Sequence, residues 1–274
     1  MLPYLICSDI DGTLMTNDQK ISKDTLKLIN DLQEEGHIFY LATGRMLLSA
    51  KQLAENISDK TGVIASNGGI VSLDNKVIKH TLSSESSLFI YKLAMQYKLP
   101  LFIFSHDTVY YNDVLPDYFV NETNQGRINT GKQRSYHHIK NEDDLLLHAA
   151  DFINAIFVSE DQLDKLKEVK SILFKNEDIT VTSSYWNNIE ISPKGISKAI
   201  AIQELQKYYS IPTDRVISFG DGGNDIEMFK VSNISVAVDN ASEDVKKFLT
   251  NITSSNKDEG VYKFLKNHFR NWEK

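Results

Sequence analysis

The 274-residue sequence has a single cysteine and five prolines, and none of its apolar runs approaches the roughly 18 residues that a membrane-spanning helix needs. With one thiol no intramolecular disulfide can form, and Cys7, inside the run "PYLIC", reads as a small buried hydrophobe of a strand. Redox chemistry is set aside on that ground. Positive charge is also scarce: 30 Lys and Arg stand against 37 Asp and Glu, a net charge of −7. A nucleic-acid partner needs a clustered basic surface, and the one locally basic stretch, "KQRSYHHIK" at 132–140, reads as a solvated face. The opening "MLPYLIC" carries neither a basic segment nor a small-residue cleavage site, so a cytoplasmic protein is expected. Internal repeats and low-complexity tracts are missing too. What is present, 41% hydrophobic and 24% charged residues, suffices for one large domain or two smaller ones, each with its own core.

Residues 1–72 read as strand, helix, strand, helix, strand. "PYLICS" is a short apolar run; "ISKDTLKLINDLQEEG" is an amphipathic helix with Leu26, Ile29 and Leu32 on one face, stopped by Gly36. "HIFYLAT" and "GVIAS" follow as strands on either side of the helix "RMLLSAKQLAENI". After residue 195 the same grammar returns: helix "SKAIAIQELQKYY", strand "RVISFG", helix "DIEMFKV", strand "ISVAV", helix "SEDVKKFL" and a last helix "GVYKFLKNHF". Such alternation implies parallel strands joined by right-handed crossovers. Between the two ends the texture is different. "LFIFS", "TVYYN", "AIFVS", "ITVTSS" and "NIEIS" are short and rich in β-branched and aromatic residues, as in an antiparallel sheet with helices such as "SSLFIYKLAMQYK" on one face. The expectation is an α/β protein: a Rossmann-like parallel-sheet core, 1–82 and 189–274, with an inserted α+β cap at 83–188.

Four polar clusters fall at strand ends or helix starts of that core: "DIDGT" at 9–13, "TGR" at 43–45, "GISK" at 195–198 and "GDGGND" at 220–225. Ligands of open α/β sheets bind beyond the carboxyl ends of the strands, where these clusters converge. A lone aspartate before Gly12 would be a turn former. A second carboxylate two positions on changes that, because two close like charges must share a cation or one must hold a proton. An EF-hand loop is excluded, since Gly12 stands fourth and Lys20 twelfth where glycine sixth and glutamate twelfth are needed. Asp221 offers a third carboxylate from another strand end, a set that suits Mg²⁺. Asp225, four residues further, reads as a ligand or as an orienter of one. "TGR" brings the Thr43 hydroxyl and the amides of Gly44 and Arg45 to a helix start, which suits an anion. Lys198 in a first helical turn opposes the helix dipole, so something anionic should compensate it; Lys194 is its rival for the same task.

Two other features point away from chemistry. "GRINTGKQ" at 126–133 matches a phosphate-binding loop as far as its lysine, but Gln133 replaces the required Ser or Thr and no apolar strand precedes it. His137 and His138 show no carboxylate or cysteine at metal-ligand spacing, and read as surface or packing residues.

Taken in order, "DIDGTL", "LATGR", "ISPKGISK" and "GDGGNDIEMF" resemble the four motifs of the haloacid dehalogenase-like hydrolase superfamily, and more narrowly its Cof-type phosphatases, over the whole chain. The resemblance implies a Mg²⁺-dependent phosphatase acting on a small phosphate monoester, a sugar phosphate first of all, through an aspartyl-phosphate. It makes Asp9 the nucleophile and Asp11 the acid and base, and gives the metal to Asp9, Asp11 through its carbonyl, and Asp221, with Asp225 behind them. The amide of Ile10 with Thr43, Gly44, Lys198 and Asn224 would hold the transferred phosphoryl group. Gly223 departs from a variable position of the family, with little consequence expected. The physics agrees: a carboxylate approaching a phosphate dianion is repelled unless a divalent cation and a lysine cancel the charge. Asp9 must be ionised to attack while Asp11 must hold a proton, so their surroundings have to differ. The second aspartate favours an ester leaving group, because the dehalogenases and pump ATPases of the superfamily do not carry it. A sugar phosphomutase and a phosphometabolite-binding protein without turnover are the alternatives.

Overall fold

A computed structural model describes residues 2–74, 76–115, 135–183 and 186–270. Two compact units emerge: Met1–Arg45, Ser49–Ile78 and Ser197–Lys274 form one, Met46–Leu48 and Lys79–Ile196 the other. No helix among the described residues is long and apolar enough to cross a membrane.

In the first unit, strands β1 (Leu5–Ser8), β2 (Ile38–Ala42) and β3 (Gly62–Ala65) are joined by helices α1 (Lys23–Glu34) and α2 (Leu47–Ile57). Every residue of β1 is buried, as expected of a strand covered on both faces. Ser22 caps α1 by accepting the N–H of Thr25, and Gly36, at φ 94°, carries the chain out of it. The helix buries Ile29 and Leu32 as its periodicity predicts, whereas Leu26 is half-buried and Thr25 takes the inner position. Beyond β3, the strands β4 (Ile70–Ser72) and β5 (Val77–Lys79) lead out of this unit. The chain returns through α6 (Lys198–Tyr209), β12 (Val216–Gly220), α7 (Ile226–Val231), β13 (Ile234–Val238), α8 (Glu243–Lys246), β14 (Asn251–Thr253) and α9 (Gly260–Arg270).

The strand order across this sheet is β14-β13-β12-β1-β2-β3-β4-β5. Leu5 of β1 lies opposite Ile38 on one side and Val216 on the other, both pairings parallel. Chain order runs outward from β1 in both directions, so its carboxyl end is the topological switch point where open α/β sheets bind ligands. One departure from the all-parallel expectation is β4, which runs antiparallel to β3. The turn between them, Ser66–Gly68, is far too short for a crossover, which takes about a dozen residues or more, and can only reverse the chain. The helix expected over 242–249 shrinks to α8, with Ser242 as its cap.

The second unit is a six-stranded sheet in the order β10-β11-β9-β6-β7-β8, made of β6 (Leu101–Phe104), β7 (Thr108–Tyr111), β8 (Ser135–His138), β9 (Asn154–Val158), β10 (Ile179–Thr182) and β11 (Asn188–Pro193). Its helices α3 (Ser84–Tyr97), α4 (Glu142–His148) and α5 (Leu163–Leu173) bury Ile90, Leu145, Val169 and Leu173 in one core with Leu101, Ile103, Phe157 and Ile189 of the sheet. Among the described residues its pairings are antiparallel except β7 with β8, which is parallel.

Candidate active site

The chain leaves β1 at Asp9, whose N–H still bonds the carbonyl of Phe219 in β12 at 2.9 Å. It then folds round the carbonyl of Ile10, which accepts the N–H groups of Thr13, Leu14 and Met15. Gly12 sits at φ 86°, and a Cβ there would stand 2.5 Å from Asp221 Oδ2. Conformation and space both require glycine at this point. Thr13 donates to Asp221 Oδ1 at 2.8 Å, and the Asn240 side chain donates to the Gly12 carbonyl at 2.7 Å. The first and fourth sequence clusters are thus stitched together.

Lys198 opens α6 with its side chain wholly buried, and its Nζ donates at 2.7 Å to both Asp9 Oδ1 and Asp225 Oδ1. The other oxygen of Asp225 accepts the N–H groups of Asp221 and Gly222, each at 3.0 Å. Gly68 lets the chain pass close to α6, since a Cβ there would lie 2.2 Å from the carbonyl of Ser197. Lys194, the rival cation, is exposed. The compensating anions expected near Lys198 are therefore Asp9 and Asp225.

Three carboxylates against one buried ammonium leave the cluster short of positive charge. Burial pushes Asp9 up to about 7, with Asp225 and Asp221 adding to the rise and Lys198 opposing it. Asp221 is raised by burial as well, partly offset by the Thr13 hydrogen bond. Lys198 is driven in the opposite sense by burial, yet its two carboxylate partners outweigh that and hold its proton more firmly than usual. Asp9, Asp221 and Asp225 each offer an oxygen within 4.8 Å of the others. An all-oxygen, anionic donor set fits a hard divalent cation. The carboxylate of Asp11 is not part of this set.

Asp11 faces Arg45 instead. The guanidinium grips it with two arms, Nε to Oδ2 at 2.7 Å and a terminal nitrogen to Oδ1 at 2.5 Å. Thr43, just past β2 and almost fully buried, accepts the Arg45 N–H on its hydroxyl oxygen. Its carbonyl takes the N–H of Asn67, and the Asn67 side chain accepts from the amide of Asn224 at 3.1 Å. Gly44 lies against that same side chain: a Cβ on it would be 3.3 Å from Asn67 Nδ2. Ser66 and Asn67 hold left-handed backbone at φ 49° and 53°, conformations that non-glycine residues keep only where the surroundings enforce them. The structure thus brings Asp9, Ile10, Thr43, Gly44, Lys198, Asp221, Asn224 and Asp225 to one sheet edge, with the Asp11 side chain turned aside. Thr13, Asn67, Asn240 and the side chain of Arg45 are additions that sequence reasoning missed. The stretch "GRINTGKQ" lies outside the described residues.

The chain is similar to known proteins over its length. Residues 6–265 match the family described as haloacid dehalogenase-like hydrolase. The chain is 28% identical, over 97% of its length and 98% of the relative's, to a 5-amino-6-(5-phospho-D-ribitylamino)uracil phosphatase, YitU, of Bacillus subtilis. A second protein of that name from the same organism, YcsE, is 28% identical over 96% of this chain and 94% of its own. Among solved structures, a haloacid dehalogenase-like hydrolase from Bacteroides thetaiotaomicron superposes with a TM-score of 0.83 at 25% identity, covering 98% of this chain and all of that one. The match to the family runs through both halves of the site and the unit inserted between them, so the chain belongs to the haloacid dehalogenase-like hydrolases.

Proposed function

We propose that this protein is a Mg²⁺-dependent phosphatase that hydrolyses small phosphate monoesters of sugars or sugar alcohols through an aspartyl-phosphate on Asp9. The observation that carries this reading is the buried Lys198 bridge between Asp9 and Asp225, beside a third carboxylate, Asp221, at one sheet edge. In this reading Asp9, Asp221 and the carbonyl of Asp11 hold the ion, with Asp225 fixing the loop behind them. When bound, it supplies the positive charge that lets a carboxylate meet a phosphate dianion.

The residues then divide the work. Lys198 fixes Asp9 Oδ1, which leaves the second oxygen of Asp9 to attack phosphorus. Asp11 leaves Arg45, takes up a proton from solvent, and gives that proton to the departing oxygen as the ester P–O bond breaks. Asp11 next takes a proton from water, whose oxygen attacks phosphorus; the P–O bond to Asp9 breaks, and the carboxylate and inorganic phosphate are released. The amides of Ile10 and Gly44, the Thr43 hydroxyl, Asn224 and Lys198 surround the equatorial oxygens on which charge accumulates. The substrate class draws support from the relatives named for a ribityl phosphate, a phosphorylated sugar alcohol.

The test is release of inorganic phosphate from a panel of sugar, sugar-alcohol and nucleotide monoesters with Mg²⁺, repeated with Asp9→Asn. Turnover of sugar-type esters that disappears in the variant is expected. Normal turnover by Asp9→Asn would remove Asp9 as nucleophile, and isomerised sugar phosphate without free phosphate would make the enzyme a mutase.

A further inference from the structure

In the second unit, β8 and α4 bring together two imidazoles and a carboxylate that the phosphatase reading does not use. His137 on β8 and His148 at the end of α4 both turn Nε2 toward Asp144 Oδ1, at 3.1 and 3.9 Å. Asp144 and His148 are one helical turn apart, so they share a face of α4. One ligand atom from each of the three residues lies within 4.8 Å of the other two. The carboxylate is aimed from behind: its Oδ2 accepts the N–H of Lys140 at 2.9 Å. That bond, with the His137 contact acting in the same direction, holds Asp144 below the usual carboxylate range against the opposing effect of burial. The imidazoles meet edge to face at 4.7 Å, and the Tyr110 ring packs on both, at 5.5 and 5.2 Å. His137 therefore has the carboxylate that its sequence neighbourhood lacks, supplied by the next helix, while His138 packs on Tyr111 instead.

A tetrahedral ion with bonds of about 2.0–2.1 Å sets its ligand atoms about 3.3 Å apart. The two separations measured to Asp144 lie on either side of that value, so closure needs side-chain movements on the order of 1 Å. Side-chain exposures of 34% for His137, 17% for Asp144 and 31% for His148 leave the three reachable without opening the core. We propose that His137, Asp144 and His148 form a second metal site, for a zinc-like divalent ion held by two imidazole nitrogens, one carboxylate oxygen and water. Imidazole donors select against Mg²⁺, so the two sites of the chain take different metals. Bound there, the ion cross-links β8 to α4 and stabilises the inserted unit.

The experiment is a Co²⁺ titration of the metal-free full chain in excess Mg²⁺, which keeps the carboxylate cluster occupied. One equivalent is expected to develop the intense visible absorption of tetrahedral Co²⁺, and Zn²⁺ to displace it. Displacing a residue that merely orients a ligand weakens metal binding by about 10–100-fold, so His137→Gln and His148→Gln should each weaken it by about 100-fold or more. Asp221→Asn should leave it intact. Zn²⁺ should raise the unfolding temperature of the wild type but not of His148→Gln, whose metal-free stability is the check that it folds. Failure of Co²⁺ to bind in Mg²⁺, absorption that survives both histidine substitutions, or absorption lost in Asp221→Asn would overturn the proposal.

Discussion

Replacing Lys198 by methionine tests the electrostatics of the site directly. The change keeps the length of the side chain and removes one charge from between two buried carboxylates, each now 2.7 Å from it. Removing one partner of a buried ion pair costs about 3–5 kcal/mol, because the remaining charge is left uncompensated. Here the loss has a partial escape. Asp9 is pushed up to about 7 even with Lys198 opposing the rise, and without that partner it holds its proton more firmly still. The unfolded chain releases that proton near pH 4 and the folded wild type near 7, whereas the folded variant keeps it beyond 7, so folding stability relative to wild type falls as pH rises above about 7. The slope approaches about 1.4 kcal/mol per pH unit for one proton. Urea unfolding in EDTA at pH 5, 7 and 9 measures it: a penalty relative to wild type that is steady between pH 5 and 7 and grows by up to about 1.4 kcal/mol per unit above 7 is expected. The double variant Lys198→Met, Asp225→Asn removes the second charge too and should regain much of the stability without regaining activity. Phosphate release by both variants should fall by about 10²–10³-fold, the effect of losing one donor to a developing charge. A Lys198→Met protein that unfolds like wild type at pH 9, or whose penalty shrinks as pH rises, would refute the reasoning.

Three further outcomes are expected. For wild type in EDTA, raised proton affinities of Asp9 and Asp221 mean that stability declines between about pH 4 and 7; Mg²⁺ should flatten the decline and Asp9→Asn remove most of it, as read from urea midpoints. Gly12→Ala should lower the unfolding temperature and shrink the rise that Mg²⁺ produces, because its Cβ would meet Asp221 Oδ2 at 2.5 Å on a backbone at φ 86°. Arg45→Lys keeps the charge but not the two-armed grip on Asp11, so kcat should drop by about tenfold to a hundredfold with a changed pH–rate profile while urea stability moves little, the pair being partly exposed.

The reach of the sequence can be judged from where each signal lives. Strand ends are readable, because "PYLIC" and "RVISFG" are apolar runs that stop at an acidic or glycine-rich turn, and parallel pairing follows from the helices between them. That was enough to bring Asp9 and Asp221 to one edge. The side chain of Arg45 was not readable: nothing local says that it will turn back to a carboxylate 34 residues earlier. Thr13 lies in the turn after β1, while its hydroxyl serves Asp221 on the far side of 208 residues, a partner no local pattern names. Asn67 links Thr43 to Asn224 from the turn between β3 and β4, and no local pattern announces it, since the link depends on a left-handed backbone where β4 folds back on β3. Strand β4 itself is only three residues long and carries too short a period to register.

Taken together, the misses share a physical cause. Sequence patterns report burial and local backbone geometry, whereas the groups that aim the site's carboxylates act across the sheet. Lys198 shows the difference: its place in a first helical turn demanded an anion, but only the fold shows two of them competing for one ammonium. That competition matters chemically, because it leaves Asp9 with a raised affinity for a proton until more positive charge arrives. If Asp9 is the nucleophile of the proposed reaction, it would be ionised with a cation in place and protonated at acid pH without one, so the charge balance of Asp9, Lys198, Asp221 and Asp225 would tie reactivity to metal occupancy before any substrate binds.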